Sequence, residues 1–239
     1  MDDRIQKLKE LIDKSNKIVF FGGAGVSTES GIPDFRSQDG LYNQKYQYPP
    51  EAIVSHTFFV YKTEEFYDFY RDRMLYLDAK PNITHIALAK LEEMGKLSAI
   101  VTQNIDGLHQ MAGSKKVYEL HGSVLRNYCT KCGKFYDVNF IKNSTGVPKC
   151  TCGGVVKPDV VLYEEGLDDK VITGAINAIE EADLLIIGGT SLVVQPAASL
   201  INYYNGKNVV LINKSSTFAN QRATLVFHES LGEVFSKIL

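Results

Sequence analysis

Four apolar runs limit what this chain can become: residues 17–21 (KIVFF), 99–102 (AIVT), 184–188 (LLIIG) and 209–212 (VVLI). None alternates with polar residues, so each reads as a strand buried on both faces. Helical patterns lie between or before them, at residues 83–94 and 171–182. An opening amphipathic helix carries Ile5, Leu8, Leu11 and Ile12 at helical spacing. Buried strands interleaved with helices predict an α/β fold with a parallel sheet covered on both sides. Ligands on such sheets sit outside the carboxyl ends of the strands. Here those ends carry residues 22–27, 103–106, 189–191 and Asn213, four polar or glycine-rich tips expected to converge on one crevice.

Two stretches break the alternation. Residues 37–81 are rich in Tyr and Phe and read as a helical excursion with loops; residues 123–158 hold all four cysteines among turn residues. With no repeat and no low-complexity linker, they read as insertions into one sheet domain. The net charge of −2 gives no argument for nucleic acid or an anionic membrane as partner. No run approaches the roughly 18 apolar residues of a membrane span. The N-terminal MDDRIQKLKELIDKSNK lacks the apolar stretch of a secretory signal, and its acids argue against a transit peptide. The expected location is therefore cytoplasmic, where thiols stay reduced.

Cys129-x-x-Cys132 and Cys150-x-Cys152 are separated by residues 133–149. Two close pairs on two turns can supply four thiolates to a tetrahedral zinc, and Gly133, Gly153 and Gly154 suit tight knuckles. The alternative is four reduced, unliganded thiols. Four Cys ligands leave no open position, so the zinc is read as structural.

The turn Gly22-Gly23-Ala24-Gly25 follows the first strand, as in folds that bring backbone N–H groups against phosphates. The dinucleotide pattern G-x-G-x-x-G fails at its third glycine, where Thr28 stands. The acidic residue expected about 20 positions on in a typical NAD dehydrogenase is not obvious. A plain strand–helix turn is the competing reading. Asp34-Phe35-Arg36 just downstream favours the phosphate reading, since an aromatic can cover a ring and an arginine can pair a pyrophosphate. Gln103-Asn104-Ile105-Asp106 sits at a strand tip, which is often polar merely because it meets solvent, but such side chains can also fix a ribose and an amide in one orientation. His121 follows the strand-like run 117–120. A lone histidine is usually structural, but its place between the crevice and the cysteines favours a general base. His109 has a weaker case, and His85 reads as a helix-packing residue.

Together these segments resemble the sirtuin family: GAGVSTESGIPDFRS (residues 23–37), TQNIDGLHQMAG (102–113), ELHGS (119–123), the four cysteines, KPDVVLYEE (157–165) and GTSLVVQPAAS (189–199). They span nearly the whole chain in the family's order, as a bare catalytic core of the bacterial kind. The resemblance implies a Rossmann-like domain built from residues 1–36, 83–122 and 159–239. A smaller domain would join a helical insertion (37–82) to a zinc-binding insertion (123–158). It also implies an NAD-dependent protein-lysine deacetylase that takes an acylated lysine in a protein or peptide. Products are the free lysine, nicotinamide and O-acetyl-ADP-ribose, and no hydride moves. Long-chain or succinyl deacylation and protein ADP-ribosylation are the alternatives it leaves open.

The resemblance also implies roles. His121 is the general base, with Asn104 and Asp106 joining it as catalytic residues. Asp106 and Ile105 hold the carboxamide of nicotinamide, Phe35 guards its pocket, and Gln103 and Asn104 address the reacting ribose. Gly23, Ala24, Gly25, Thr28 and Arg36 line the phosphate side. Thr190, Ser191, Asn213, Lys214 and Ser230 hold the adenosine half. The backbones of Val160, Val161 and Tyr163 and of Leu192, Val193 and Val194 sandwich the substrate peptide as an added strand. Two departures stand out. Glu164 occupies a position where the family usually has Gly, and its carboxylate either attracts basic residues of a substrate or points to solvent. Family members that prefer succinyl or malonyl groups carry a Tyr and an Arg three residues later. Tyr67 could match that Tyr, but Tyr70 takes the Arg place, which favours a neutral acyl group; Tyr70 with Arg73 restores the spacing one turn later and would pair a succinyl carboxylate, the competing reading being Arg71 and Arg73 as surface charges.

Overall fold

The computed structural model describes residues 3–34 and 47–238. The four apolar runs fall on strands of one sheet. Strand β1 (Ile18–Gly22), β2 (Leu97–Thr102), β3 (Val117–Glu119), β7 (Leu184–Gly188), β8 (Val209–Ile212) and β9 (Leu225–Phe227) pair in parallel in the order β3-β2-β1-β7-β8-β9. Numbered within the sheet alone, that order is 3-2-1-4-5-6, the doubly wound arrangement of dinucleotide-binding folds. Chain direction across the sheet reverses between β1 and β7, so their carboxyl ends flank the switch point where ligands bind.

Successive residues on a strand face opposite sides, and both sides here are covered. Ile18, Phe20, Ile100, Leu184, Ile186, Val210 and Ile212 pack on one face with α1 (Asp3–Lys14), α5 (Ile83–Glu93) and α9 (Leu231–Ser236). Val19, Phe21, Val101, Leu185, Ile187 and Leu211 pack on the other with α8 (Asp169–Glu180) and the 3₁₀ helix Ala197–Tyr203. Helix α8 begins earlier than its apolar pattern suggests. The Asp168 carboxylate accepts from the Lys170 and Val171 N–H groups, which caps the helix ahead of its first large apolar residue.

A second sheet, β5 (Phe135–Asp137), β4 (Gly122–Cys129) and β6 (Val156–Val160), is antiparallel in the order β5-β4-β6. It shares a separate core with α2 (Pro50–Ile53), α3 (His56–Tyr61) and α4 (Thr63–Arg73), built around Phe66, Tyr67, Phe69, Tyr70, Val156 and Leu162. The remaining α-helices among the described residues are short, α6 (Leu108–Met111) and α7 (Val138–Lys142). Among the described residues no helix is long and apolar enough to cross a membrane.

Candidate active site

The tips of β1 and β7 approach so closely that side chains cannot stand between them. The Gly25 N–H donates to the Gly189 carbonyl at 2.8 Å, and a Cβ on Gly25 would lie 2.7 Å from the Gly189 Cα. A Cβ on Gly23 would lie 2.8 Å from that of Thr190. These glycines are therefore required for contact between two strand tips, apart from any phosphate they cradle. Thr28, at the place of the missing third glycine, donates its hydroxyl to the Gly25 carbonyl at 3.0 Å and closes the turn.

Beyond β2 the backbone turns into α6, and its polar side chains point back at β1 and β7. Gln103 Nε2 donates to Thr190 Oγ1 at 3.0 Å, and the same oxygen accepts the Leu192 N–H at 3.2 Å. Asn104 Nδ2 donates to Ser27 Oγ at 3.0 Å. Ser27 in turn donates to Asp106 Oδ2 at 2.6 Å, while Asp106 Oδ1 accepts the Leu108 N–H at 2.9 Å. Asn104 and Asp106 are thus locked through one buried hydroxyl. Ser27 is the site residue that sequence reasoning places only within a glycine-rich tip. Its partners lie 77 and 79 residues away, so no local pattern reports them.

His121 leaves β3 beside this network. Its Nδ1 lies 3.0 Å from the Gln103 carbonyl, which can only accept, so Nδ1 carries the proton and Nε2 is the basic nitrogen. Burial pushes this imidazole below its ordinary value of 6.5, partly offset by the bond to Gln103, and so keeps it neutral near pH 7. The following Gly122 has φ +74°, and a Cβ there would fall 1.9 Å from the Asp159 carbonyl. A side chain at that position would break β4 away from β6 and move the histidine with it.

These groups open on one cleft of about 1280 Å³, larger than the ~300–1,000 Å³ usual for small-molecule pockets. It is lined by Gly23, Ala24, Gly25 and Thr28 from the first tip, and by Gln103, Asn104, Ile105, Asp106 and His121 from the second. Thr190 and Ser191 beyond β7, Asn213 and Lys214 beyond β8, and Ser230 before α9 line it too. Val160, Val161 and Tyr163 line its mouth with Val193 and Val194. Ser230 also caps α9, accepting the Glu233 N–H at 3.2 Å. Phe35 and Arg36 lie outside the described residues.

Three expected substrate residues do not line this cleft. Leu192 is 2% exposed and packs under the sheet, although its backbone lies in the segment that borders the mouth. Tyr67 and Tyr70 are core residues. The Tyr67 hydroxyl donates to the Val156 carbonyl at 2.5 Å, and Tyr70 is 1% exposed among Phe66 and Tyr67. Helix α4 turns both inward because its aromatic stripe fills the second core. Arg71 reaches the carbonyls of Ser144 and Gly146, while Arg73 lines the cleft with its Nε 2.6 Å from Asp72.

The cysteines gather at the far end of β4. Their four Sγ atoms all lie within 4.8 Å of one another, with Cys129 to Cys152 at 3.4 Å and Cys132 to Cys150 at 3.7 Å. Tetrahedral zinc at about 2.3 Å from each sulfur needs S···S separations near ~3.8 Å, so the donor set fits that ion. A Cβ on Gly154 would sit 2.6 Å from Cys129 Sγ, which leaves room only for glycine beside the cluster. The cluster and His121 lie at opposite ends of β4, Gly122–Cys129.

The Sir2 family model matches residues 23–196. An NAD-dependent protein deacetylase of Clostridium perfringens (strain 13 / Type A) is 69% identical over 243 residues, covering all of both chains. A Sir2 structure with p53 peptide and NAD+ superposes with a TM-score of 0.88 at 41% identity, covering 98% of this chain and 96% of that one. A Sir2 variant structure with a deacetylated p53 peptide and 3′-O-acetyl ADP ribose superposes with a TM-score of 0.91 at 40% identity, covering 98% and 96%. A family model spanning most of the chain, joined to close relatives end to end, places this protein in the Sir2 family.

Proposed function

We propose that this protein is an NAD-dependent protein-lysine deacetylase. The observation that carries the reading is the fixed tautomer of His121, which presents a neutral Nε2 in the cleft beside the Gln103, Asn104 and Asp106 network. NAD, when bound, supplies an electrophilic ribose carbon and nicotinamide as leaving group, and collects the acetyl group as O-acetyl-ADP-ribose. The residues supply the rest. Gly23, Ala24, Gly25 and Thr28, at the tip of β1, line the phosphate side of the cleft. Asp106 and Ile105 receive the carboxamide, and Gln103 and Asn104 orient the ribose. Thr190, Ser191, Asn213, Lys214 and Ser230 hold the adenosine half. His121 Nε2 takes the proton of a ribose hydroxyl, and its Nδ1–H, held by Gln103, stabilises the imidazolium that results. Phe35 and Arg36 keep their assignment to the nicotinamide and phosphate sides.

The acyl-lysine peptide docks as a strand between the backbones of Val160, Val161 and Tyr163 on one side and of Leu192, Val193 and Val194 on the other. Val54, Ile105 and Val124 in the cleft lining favour a neutral acyl group, and Arg73 in the same lining keeps succinyl as the alternative. The sheet domain (1–36, 83–122, 159–239) carries NAD. The helical (37–82) and zinc-binding (123–158) insertions form the small domain, with zinc held by Cys129, Cys132, Cys150 and Cys152. A cytoplasmic location agrees with four cysteines grouped as metal ligands.

The test is turnover of an acetyl-lysine peptide with NAD, followed by product mass. Wild type releases nicotinamide and O-acetyl-ADP-ribose. His121→Ala folds and binds NAD but loses turnover by ~10²-fold or more. Since burial lowers the folded pKa from 6.5, the acid limb of kcat/KM is expected below that ordinary value. Near-normal deacetylation by His121→Ala, or labelled ADP-ribose transferred to protein, would overturn the assignment.

A further inference from the structure

Glu164 stands at φ +77°, a left-handed backbone conformation that is strained for a residue with a side chain. Its carboxylate does not point free into solvent. Glu164 Oε2 accepts the Thr57 N–H at 2.8 Å and the Thr57 hydroxyl at 2.7 Å. Thr57 lies in the first turn of α3, so this one side chain ties the end of the 160–165 segment to the helical insertion. The tie is part of a seam. The Tyr163 N–H donates to the Val54 carbonyl at 3.0 Å, and the His56 N–H donates to the Tyr163 carbonyl at 2.9 Å. His56 Nδ1 meets Glu165 Oε1 at 2.9 Å. Within the seam only Glu164 combines a strained backbone with a double acceptor role. The two Thr57 bonds hold its carboxylate ionised, below the ordinary carboxylate value.

We propose that Glu164 is a positioning residue for the peptide: its clamp on Thr57 fixes the 160–165 docking edge before the acyl-lysine segment arrives. This rests on the strand-docking reading above. A docking edge already held in place spares the peptide the entropy of ordering it. The clamp therefore acts on peptide affinity and leaves the proton transfer at His121 alone.

The experiment measures peptide saturation at saturating NAD for Glu164→Gly, Glu164→Ala, Glu164→Gln and Thr57→Val, with acetyl peptides of neutral and of basic flanks. Hydrogen exchange of residues 160–165 is read in parallel on each free protein. Glu164→Gly keeps the backbone conformation without strain but loses the acceptor, so the peptide KM rises roughly 5- to 10-fold with kcat and the NAD KM unchanged. Glu164→Ala rises further, because the strained conformation remains with nothing to hold it. Glu164→Gln stays near wild type, because its carbonyl still accepts both bonds. Thr57→Val falls between, having kept the backbone donor. Exchange in residues 160–165 speeds up in the same order. An unchanged peptide KM in Glu164→Gly overturns the proposal. So does a Glu164→Gln that fails like Glu164→Gly on basic peptides alone, since the charge would then be recruiting the substrate. If wild type deacetylates no peptide, the docking reading fails, while the exchange order still reports whether the clamp exists.

Discussion

Ser27 shows how much of this site depends on a single hydroxyl. It is 1% exposed, accepts from Asn104 and donates to Asp106, so two residues of one loop take their orientation from a third on another strand tip. Removing one partner of a buried hydrogen bond costs about 1–3 kcal/mol, because the groups left behind stay desolvated. Ser27→Ala is expected to lower the unfolding free energy by that order. It should also raise the KM for NAD several-fold, since Asp106 and Asn104 lose their fixed geometry. Denaturant melts and NAD saturation curves check both, and a variant with wild-type values for each would show that the hydroxyl holds nothing. Residues such as His121 and Asp106 stand out in the sequence because their chemistry is rare on apolar strand ends. A serine among glycines does not, and only the close approach of β1 to the loop after β2 gives it partners. Tyr67 and Tyr70 fail in the opposite sense. A spacing seen in the chain suggests a tunnel, but the aromatic stripe of α4 is consumed by its own core.

Strand β4 joins the two chemical centres, with Gly122 behind His121 at one end and Cys129 at the other. Zinc binding to such a cluster is coupled to local folding. The wild-type protein should carry about one zinc per chain. Chelation should loosen β5-β4-β6 and weaken peptide binding, whereas NAD binding survives, because the nucleotide end of the cleft is built from the tips of β1, β2, β7 and β8. Metal analysis beside calorimetric NAD titration tests this, and NAD affinity lost in proportion to zinc would contradict it. The elements of the large sheet were legible because parallel strands buried on both faces are unbroken apolar runs. The short strand β9, at Leu225–Phe227, has too few residues to show a pattern. The antiparallel sheet was hidden for another reason. Its pairing of β4 with β6 shifts register between Ser123 and Asn127, and turn-rich sequence around the cysteines masks the alternation.

At the scale of the whole molecule, acid should be the condition that this fold resists least. His85 on α5 and His109 on α6 meet with ring centroids 4.8 Å apart, at 0% and 1% exposure. His85 Nδ1 accepts the Asn82 N–H at 3.2 Å, and neither ring nitrogen of His109 has a hydrogen-bond partner among the described residues. Burial lowers His85 to about 4, with the Asp106 charge opposing the shift. Burial, and then the neighbouring His85, lowers His109 to about 3. Both folded values lie below the unfolded value near 6.5, so between them the unfolded chain binds more protons and stability rises with pH. Their contribution is complete above about pH 6.5 and is lost as pH falls from there toward about 4 for His85 and about 3 for His109. With two groups at about 1.4 kcal/mol per pH unit each, the loss by pH 5 is on the order of 2–4 kcal/mol. Denaturant melts at pH 7.5, 6.5, 5.5 and 5.0 measure the slope. His109→Leu should remove about half of it while leaving a folded protein at pH 7.5, and His85→Asn, which keeps an acceptor for Asn82, should do the same. A slope that neither substitution changes would assign the acid sensitivity to carboxylates elsewhere in the molecule.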